Sequence, residues 1–142
     1  MIVRLTALLA VALTMAGCGS GARHPSTTTI DVSYDDLLNQ KHISRDVTLG
    51  DGDTLRIILA SNASTGYHWS GQTQISDRAV VVQRDHYYAG PSDVRPPGTS
   101  GTETWTFEAL ESGTATIATT YGQDWPGGAK NAWTFSATVR VR

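Results

Sequence analysis

Alternation of apolar and polar residues dominates this chain, and a period of two residues is typical of β-strands with one buried face. The clearest case is residues 102–110, where Trp105, Phe107 and Ala109 fall on one face and Glu108 falls on the other. Further strand-like stretches occupy residues 27–33, 43–49, 55–60, 79–83, 114–121 and 132–141. The pattern therefore predicts an all-β fold built from many short strands.

Turn-forming residues separate these strands. Gly50-Asp51-Gly52-Asp53 predicts a hairpin turn of the Asp-Gly type. A calcium site is disfavoured there because the Asp-x-Asp-x-Asp-Gly order and the closing Glu of a calcium loop are missing. Residues 34–40 are compatible with a helical turn or with a loop. Residues 87–101 form a long connection rich in Pro and Gly, and residues 123–131 form a second one. A connection as long as the first is usually functional or disordered.

The stretch from Ser61 to Trp69 interrupts the strands with small and turn-forming residues. Asn62 and Ser64 can hydrogen-bond to their own backbone, and Gly66 can adopt a positive φ. In Tyr67-His68-Trp69 the two aromatic residues would face one side of a following strand and the histidine the other. An ordinary strand connection with core aromatics explains this pattern, and so does a shaped binding loop.

Length and charge restrict the function classes. The chain has 142 residues, which is enough for one domain with a single core. Lys and Arg number 11 against 13 for Asp and Glu, and no basic run is present. Nucleic-acid binding needs a clustered basic surface, so the sequence argues against it. We expect a monomeric domain over residues 27–142.

The N-terminus has the pattern of an export signal. Arg4 precedes an apolar stretch over residues 5–12, which is too short to span a membrane. It ends at Met15-Ala16-Gly17-Cys18, which resembles a bacterial lipobox with Met in place of the usual Leu. This predicts a signal peptide at 1–17, lipid on Cys18, and anchoring in the bacterial cell envelope, facing outside the cytoplasm. A free thiol or an ordinary signal-peptide cysteine is the alternative. Residues 18–26 are small and polar, which predicts a flexible tether.

The sequence provides no catalytic centre that we can identify. Cys18 is the only cysteine, and Gly98-Thr99-Ser100-Gly101 is one residue short of a Gly-x-Ser-x-Gly elbow and precedes a strand. The four histidines lack metal-binding spacing, and no glycine-rich loop leads into a helix. We therefore expect neither an enzyme nor a cofactor or metal site. Binding through loops remains, with Trp125 as an aromatic anchor; Trp69, Trp105 and Trp133 fall on strands and are expected in the core.

Three motifs in the same order resemble those of the chagasin family of cysteine-peptidase inhibitors. Asn62-Ala63-Ser64-Thr65-Gly66-Tyr67, with Trp69 after it, is similar to the family's Asn-Pro-Thr-Thr-Gly-Tyr/Phe loop. Gly98-Thr99-Ser100-Gly101, with Thr102-Glu103 after it, resembles its Gly-x-Gly-Gly loop, and Tyr121-Gly122-Gln123-Asp124-Trp125 resembles its Tyr-x-Arg-Pro-Trp loop. The resemblance covers about residues 28–141. It implies an immunoglobulin-like β-sandwich with binding loops clustered at one end, where they plug the active-site cleft of a papain-like cysteine peptidase.

The resemblance also implies roles for single residues. Ser64 and Thr65 would enter the cleft beside the catalytic Cys and His of the peptidase. Asn62 would brace this loop, Gly66 would provide its turn, and Tyr67 would support it from behind. Trp125 would pack on the far lip of the cleft, and the glycines of the second motif would let the backbone lie along the enzyme. The implied peptidase-binding residues are Asn62, Ser64, Thr65, Gly66, Tyr67, Gly98, Ser100, Gly101, Asp124 and Trp125.

The chain departs from the family pattern at several motif positions. Ala63 replaces Pro, Ser64 replaces Thr, Ser100 replaces Gly, and Gln123-Asp124 replaces Arg-Pro. These changes leave the fold prediction intact and bear on the strength and range of inhibition. Two other functions remain open: a non-inhibitory module that stacks glycans on exposed aromatics, and an envelope lipoprotein whose loops contact another protein.

Overall fold

The computed structural model describes residues 21–91 and 99–142. The predicted signal peptide, Cys18 and Gly98 lie outside these ranges. The described residues form nine strands, one α-helix and a short 3-10 helix at Ala63–Thr65. The bounds are β1 Thr27–Val32, α1 Tyr34–Asn39, β2 His42–Leu49, β3 Thr54–Ser61, β4 Tyr67–Trp69, β5 Gln74–Ile75, β6 Val81–Ala89, β7 Gly101–Ala109, β8 Gly113–Gln123 and β9 Trp133–Val141.

The strands form two facing sheets, and this confirms the predicted β-sandwich. The first sheet has the order β1-β3-β7-β6, and the second has the order β2-β9-β8-β4, with β5 also paired to β8. The pairs β1–β3 and β2–β9 are parallel, and the remaining pairs are antiparallel. The alternation seen in the sequence explains the architecture, because each strand turns its apolar face toward the other sheet.

The core lies between the two sheets. Its fully buried side chains include Trp69, Trp105, Leu55, Ile57, Phe107, Ile117, Phe135, Ala137 and Val139. The expectation that Trp133 is a core residue is only partly met, since its side chain is partly buried. Trp133 opens β9 at one end of the sandwich, where its indole N–H donates to the Leu37 carbonyl at 2.8 Å. The Trp133 ring therefore lies at the end of the core rather than at its centre.

Strand β6 is longer than predicted. The sequence pattern indicated a strand over residues 79–83, whereas β6 runs from Val81 to Ala89. It pairs with β7 along its length and contains a bulge between Gln83 and Asp85. The prediction failed because a bulge shifts the alternation, and because an edge strand can be held by backbone pairing alone. The following connection therefore starts at residue 90 instead of 87.

A short helix connects the two sheets where the sequence allowed a helix or a loop. Ser33 caps α1: its hydroxyl accepts from the Asp36 N–H at 3.2 Å, and its own N–H donates to the Asp36 carboxylate at 2.9 Å. The Ser33 hydroxyl also donates to the Asp36 carboxylate at 2.8 Å, and this bond, together with the one from the Ser33 N–H, lowers the pKa of Asp36. Leu37 is buried and docks the helix on the core. Among the described residues no helix is long and apolar enough to cross a membrane.

The turn between β2 and β3 receives the segment that precedes β1. Asp53 is buried, and its carboxylate accepts from Arg23 at 2.6 Å, from the Ser26 N–H at 2.7 Å and from the Gly50 N–H at 2.8 Å. The Arg23 guanidinium and these backbone bonds hold the pKa of Asp53 well below its usual range. Gly52 has a φ of +78°, which is consistent with the predicted Asp-Gly turn. Contacts thus cross the domain boundary predicted at residue 27.

Candidate functional site

The strand register brings the three motif regions to one end of the sandwich. Central loop residues 62–66 connect β3 to β4, and the third loop, residues 124–132, connects β8 to β9. The second loop, residues 90–100, connects β6 to β7, and the structure describes its residues 90–91 and 99–100. Ser61 at the end of β3 pairs with Gly101, and Tyr67 at the start of β4 pairs with Gln123. All three loops therefore leave the sheets at the same end, which we call the loop end.

Hydrogen bonds within the central loop give it a defined shape. The carbonyl of Asn62 accepts from the Thr65 N–H at 3.2 Å and from the Thr65 hydroxyl at 2.6 Å. The Asn62 side-chain carbonyl accepts from the Ser64 hydroxyl at 2.6 Å, and the Asn62 N–H donates to the Tyr121 hydroxyl at 2.8 Å. Gly66 closes the turn with a φ of +75°. Asn62 thus braces the loop, while Ser64 and Thr65 remain exposed at its tip.

Aromatic rings support this loop from the core side. The ring of Tyr67 lies 5.4 Å from that of Tyr121 and 6.0 Å, edge to face, from that of Trp133. Trp69 lies beneath them, 4.9 Å from Tyr121. Burial raises the pKa of the Tyr121 hydroxyl, so this hydroxyl stays protonated and accepts from the loop backbone. The central loop therefore rests on a packed aromatic base.

A buried carboxylate lies under the same loop. Glu103 is on the core face of β7, and its carboxylate accepts from the Trp69 N–H at 2.9 Å. Burial raises the pKa of Glu103 to about 7. Sequence reasoning did not select this residue. The signal was present, because Glu103 has the same alternation phase as Trp105 and Phe107.

Gly101 at the end of the second loop has a packing role. It is buried at the start of β7, where an added Cβ would overlap the Ala89 carbonyl and contact the Tyr88 ring. The fold thus accounts for the missing side chain, and contact between Gly101 and a peptidase stays a prediction. Ser100 is partly exposed beside it. Gly98 lies outside the described residues.

The third loop folds back on itself and presents Trp125. The Gln123 N–H donates to the Ala129 carbonyl at 2.7 Å, and the Ala129 N–H donates to the Gln123 side-chain carbonyl at 2.9 Å. The Lys130 ammonium donates to the carbonyls of Gln123 and Trp125. The Trp125 side chain is 48% exposed, as expected for an aromatic anchor in a loop.

The central and third loops contact each other directly. The Trp125 ring lies against Gly66, where a Cβ would overlap its ring carbons. The side-chain N–H of Gln123 donates to the Thr65 carbonyl at 3.3 Å, and Nε2 of His68 lies 2.5 Å from the carboxylate of Asp124. Sequence reasoning treated His68 as a solvated or packing residue and missed its role, because the pair joins positions 56 residues apart. These contacts make the two loops one surface.

Exposed apolar side chains concentrate near this surface. Among the described residues the large exposed ones are Tyr34, Leu38, Tyr87, Tyr88, Leu110 and Trp125. All except Leu110 lie on α1, in the last three residues of β6, or in the third loop. A cleft of about 160 Å³ between α1 and the central loop is lined by Leu37, Leu38, Thr65, Tyr67 and Trp133 among others. Such clustering is characteristic of a protein-binding surface.

Two histidines near this end have pKa values that are shifted in opposite directions. The hydrogen bond to the Trp69 carbonyl raises the pKa of His68, and Asp124 adds to this effect. His86 stacks on Trp105 at 4.8 Å, and burial lowers its pKa. Within residues 21–91 and 99–142, no three His, Cys, Asp or Glu side chains are close enough to bind a metal ion together.

Solved structures share this architecture. The cysteine protease inhibitor EhICP2 from Entamoeba histolytica has a TM-score of 0.62 and 20% identity, covering 84% of this chain and 99% of its own. Amebosin has a TM-score of 0.50 and 20% identity, covering 84% and 100%. PbICP-C, solved in complex with falcipain-2, has a TM-score of 0.53 and 18% identity, covering 80% and 98%. At this level of identity the likeness establishes the fold.

Comparison with curated proteins gives no significant match. Comparison with protein families matches residues 48–139 to the family described as "Chagasin family peptidase inhibitor I42". The matched range contains all three motif regions, from the central loop to the third loop. Since it also covers more than half of the chain, the protein belongs to the chagasin family of peptidase inhibitors.

Proposed function

We propose that the protein is a reversible, non-catalytic inhibitor of papain-like cysteine peptidases and that the loop end is its binding surface. The observation that carries the proposal is the direct contact of the third loop with the central loop, through Trp125 on Gly66, and with the adjoining strand β4, through Asp124 on His68. Family membership supports the inhibitory function. The complex of the related fold PbICP-C with falcipain-2 supports a papain-like partner.

In this proposal the central loop is a rigid wedge. Ser64 and Thr65 are exposed at its tip and would enter the cleft beside the catalytic Cys and His of the peptidase. The hydrogen bonds to Asn62 already hold the tip in one shape, so little conformational entropy is lost when it docks. The wedge does not present a scissile bond productively, so the inhibitor is not consumed.

The flanking loops would supply contact area on either side of the wedge. Trp125 offers a large, half-exposed ring, and such rings are common anchors of interfaces. Gly98, Ser100 and Gly101 would lie along the opposite side of the cleft. Asp124 is 81% exposed although it pairs with His68, so it remains part of the proposed contact surface.

The alternative function is binding of an envelope protein or a glycan through the same loops, without inhibition. Stacking on sugars would be favoured by several exposed, coplanar tryptophans. Of the four tryptophans in the chain, Trp69 and Trp105 are buried and Trp133 is partly buried, which leaves Trp125 as the exposed ring. Three loops sharing one end favour insertion into a cleft instead.

The test is titration of the purified protein against papain and a cathepsin L-type peptidase. Trp125→Ala should weaken inhibition about thirtyfold, which corresponds to about 2 kcal/mol of binding free energy. The matched control is Leu110→Ala, which removes an exposed apolar side chain at the opposite end and should leave the inhibition constant unchanged. A parent protein that inhibits neither enzyme, or a Trp125 variant that inhibits as well as the parent, would contradict the proposal.

We also propose that Cys18 becomes the lipid-bearing N-terminus and anchors the domain in the bacterial cell envelope. The support is the apolar stretch that ends at Met15-Ala16-Gly17-Cys18. Cys18→Ser should either release the protein from membranes or leave the precursor uncleaved, as judged by fractionation and mass. A variant that stays in the membrane fraction at its mature mass would show that lipid on Cys18 is not the anchor.

A further inference from the structure

His68 has a hydrogen-bond geometry that only its charged form can satisfy. Its Nε2 atom lies 2.5 Å from a carboxylate oxygen of Asp124, and its Nδ1 atom lies 3.0 Å from the carbonyl oxygen of Trp69. An ionised carboxylate and a carbonyl are both acceptors, so each ring nitrogen must donate. Neutral imidazole carries one N–H and can make only one of these bonds. Both bonds together require the imidazolium.

We propose that His68 is a positioning residue of the binding surface: as an imidazolium it holds the third loop against β4 beside the central loop, and on losing a proton it gives up its ion pair with Asp124 and one of its two hydrogen bonds, so that binding of the peptidase weakens as the pH rises. The inference rests on the proposed function for its partner. The positioning itself concerns the free protein and can be measured without a peptidase.

The pair of His68 and Asp124 lies where it can hold Trp125 in position. His68 is two residues after Gly66, and Asp124 immediately precedes Trp125, so the pair lies next to the contact between the indole and the loop backbone. The other polar bond at this contact runs from Gln123, the last residue of β8, to the Thr65 carbonyl and is 3.3 Å long. Loss of the imidazolium therefore weakens the shorter of these two polar contacts, because the ion pair is lost, and leaves Trp125 less firmly held.

Titratable groups from three neighbouring elements face His68. Asp124 of the third loop and Glu103 of β7 are acidic and favour the imidazolium. His86 of β6 opposes it when charged, but burial lowers the pKa of His86 and keeps that ring neutral near pH 7. Lys130 and His68 both line a polar groove beside the third loop, where the Lys130 ammonium donates to the carbonyls of Gln123 and Trp125. The balance raises the pKa of His68 above its ordinary value of 6.5, with the Trp69 carbonyl as the largest cause.

The direction of the effect follows from this raised pKa. The pair is fully formed below pH 6.5, and it is lost as the pH rises through the pKa of His68 in the folded protein. The side chains of His68 and Asp124 are 41% and 81% exposed, so solvent screens them strongly. We expect the pair to change the inhibition constant by about twofold to fivefold.

The first experiment follows the ring protons of His68 and the indole N–H of Trp125 by NMR during a pH titration. Both should show one common midpoint above 6.5, the ordinary pKa of histidine. Asp124→Asn should lower the midpoint of His68, and His68→Gln should abolish the transition at Trp125. His42→Gln is the matched control, because His42 is exposed at the same end and bonds to the Thr134 hydroxyl, which can donate or accept. The positioning role would be overturned if the Trp125 indole signal did not change as His68 titrates, or if Asp124→Asn left the midpoint of His68 unchanged.

The second experiment measures inhibition of papain by the parent and by His68→Gln between about pH 5 and pH 8.5. The ratio of the two inhibition constants cancels the titration of the peptidase itself. It should be about three at the acid end and approach one at the alkaline end. A ratio that does not vary with pH would overturn the inference while leaving the inhibitory function intact. A parent that inhibits no peptidase would refute the proposed function, and the titration of Trp125 would still decide the positioning role.

Discussion

Two constraints meet at Gly66, one from its backbone and one from its neighbour. Its φ of +75° lies in the left-handed region, which side chains with a Cβ adopt at a cost of about 1 kcal/mol or more. The Trp125 ring also occupies the space that a Cβ would need. Gly127 in the third loop has a similar φ of +82°, but nothing lies within 4 Å of the place where its Cβ would be. A comparison of the two glycines therefore distinguishes the cost of the backbone conformation, which both share, from the steric overlap, which only Gly66 has of the two.

We predict that Gly66→Ala weakens peptidase inhibition at least tenfold, because the indole must move off the central loop. Gly127→Ala should change inhibition less than threefold, although both variants lose about 1 kcal/mol of folding stability from the backbone alone. Inhibition constants and chemical denaturation of the two variants test this. Equal losses of inhibition in both would show that the contact between Gly66 and Trp125 does not matter for binding.

Glu103 makes the stability of the fold depend on pH. Its pKa rises from 4.5 to about 7 on folding because burial disfavours the carboxylate. The folded state therefore prefers the protonated acid, and stability present below pH 4.5 is lost as the pH rises to about 7. A shift of this size corresponds to about 3 kcal/mol. The pKa of His68 is also raised, so its titration likewise lowers the free energy of unfolding as the pH rises. The pKa of His86 is lowered, so its titration has the opposite effect.

We predict that Glu103→Gln removes most of this pH dependence, since the amide stays neutral and its oxygen can still accept from the Trp69 N–H. Urea denaturation at about pH 5 and pH 8 should show a free energy of unfolding that falls by about 3 kcal/mol in the parent and much less in the variant. His42→Gln serves as the control titratable group at an exposed position. A parent whose stability is flat over this range would contradict the prediction.

At the scale of elements, the short helix Ala63–Thr65 determines how the central loop is presented. Ala63 stands where the related family has proline, and it is the first residue of this helix. Proline is well tolerated at a first helical position because the N–H there needs no intrahelical partner. Thr65 differs, since its N–H donates to the Asn62 carbonyl at 3.2 Å. The alanine at position 63 therefore leaves this segment more flexible in the unfolded chain than proline would.

We predict that Ala63→Pro raises the free energy of unfolding by up to about 1 kcal/mol and tightens inhibition slightly, by stiffening the unfolded loop. Thr65→Pro in the same helix should lower stability by about 1 kcal/mol or more, because it removes a hydrogen-bond donor. Urea denaturation of both variants provides the comparison. Destabilisation by Ala63→Pro would mean that the backbone at residue 63 cannot accept proline.

Strand periodicity and the three motifs were enough to predict the sandwich and the sharing of one end by the loops. The helix α1 was left open because six residues are too few to show a helical period, although the cap formed by Ser33 and Asp36 is visible in the sequence. The length of β6 was missed because backbone pairing with β7 extends it past its bulge. The contact between His68 and Asp124 could not be predicted, since a pattern along the chain does not show which distant side chains meet.

At the scale of the whole molecule, the two ends of the sandwich have separate roles. Arg23 binds Asp53 beside the turn that precedes β3, whereas Trp125 lies at the loop end where β3 finishes. The buried core between them is shared by both sheets. Loss of a contact at the end opposite to the loops should therefore affect stability without affecting binding.

We predict that Arg23→Ala lowers the thermal midpoint by a few degrees and leaves the inhibition constant unchanged, because Asp53 loses a charged partner far from the loops. Arg84→Ala is a suitable control, since it breaks a pair with Glu108 that is exposed on both sides and should change neither quantity measurably. Weaker inhibition by Arg23→Ala would show that the two ends are coupled.

Strand β1 begins at the end of the sandwich opposite to the loops, because it runs parallel to β3. If Cys18 carries lipid as proposed, the membrane and the proposed peptidase-binding surface would therefore lie on opposite sides of the domain. The five residue steps from Cys18 to Arg23 can extend about 17 Å at most, and a nine-residue strand adds about 30 Å. The loop end could then reach at most about 50 Å from the bilayer. The anchored protein would therefore bind only peptidases that come within this distance of the membrane surface.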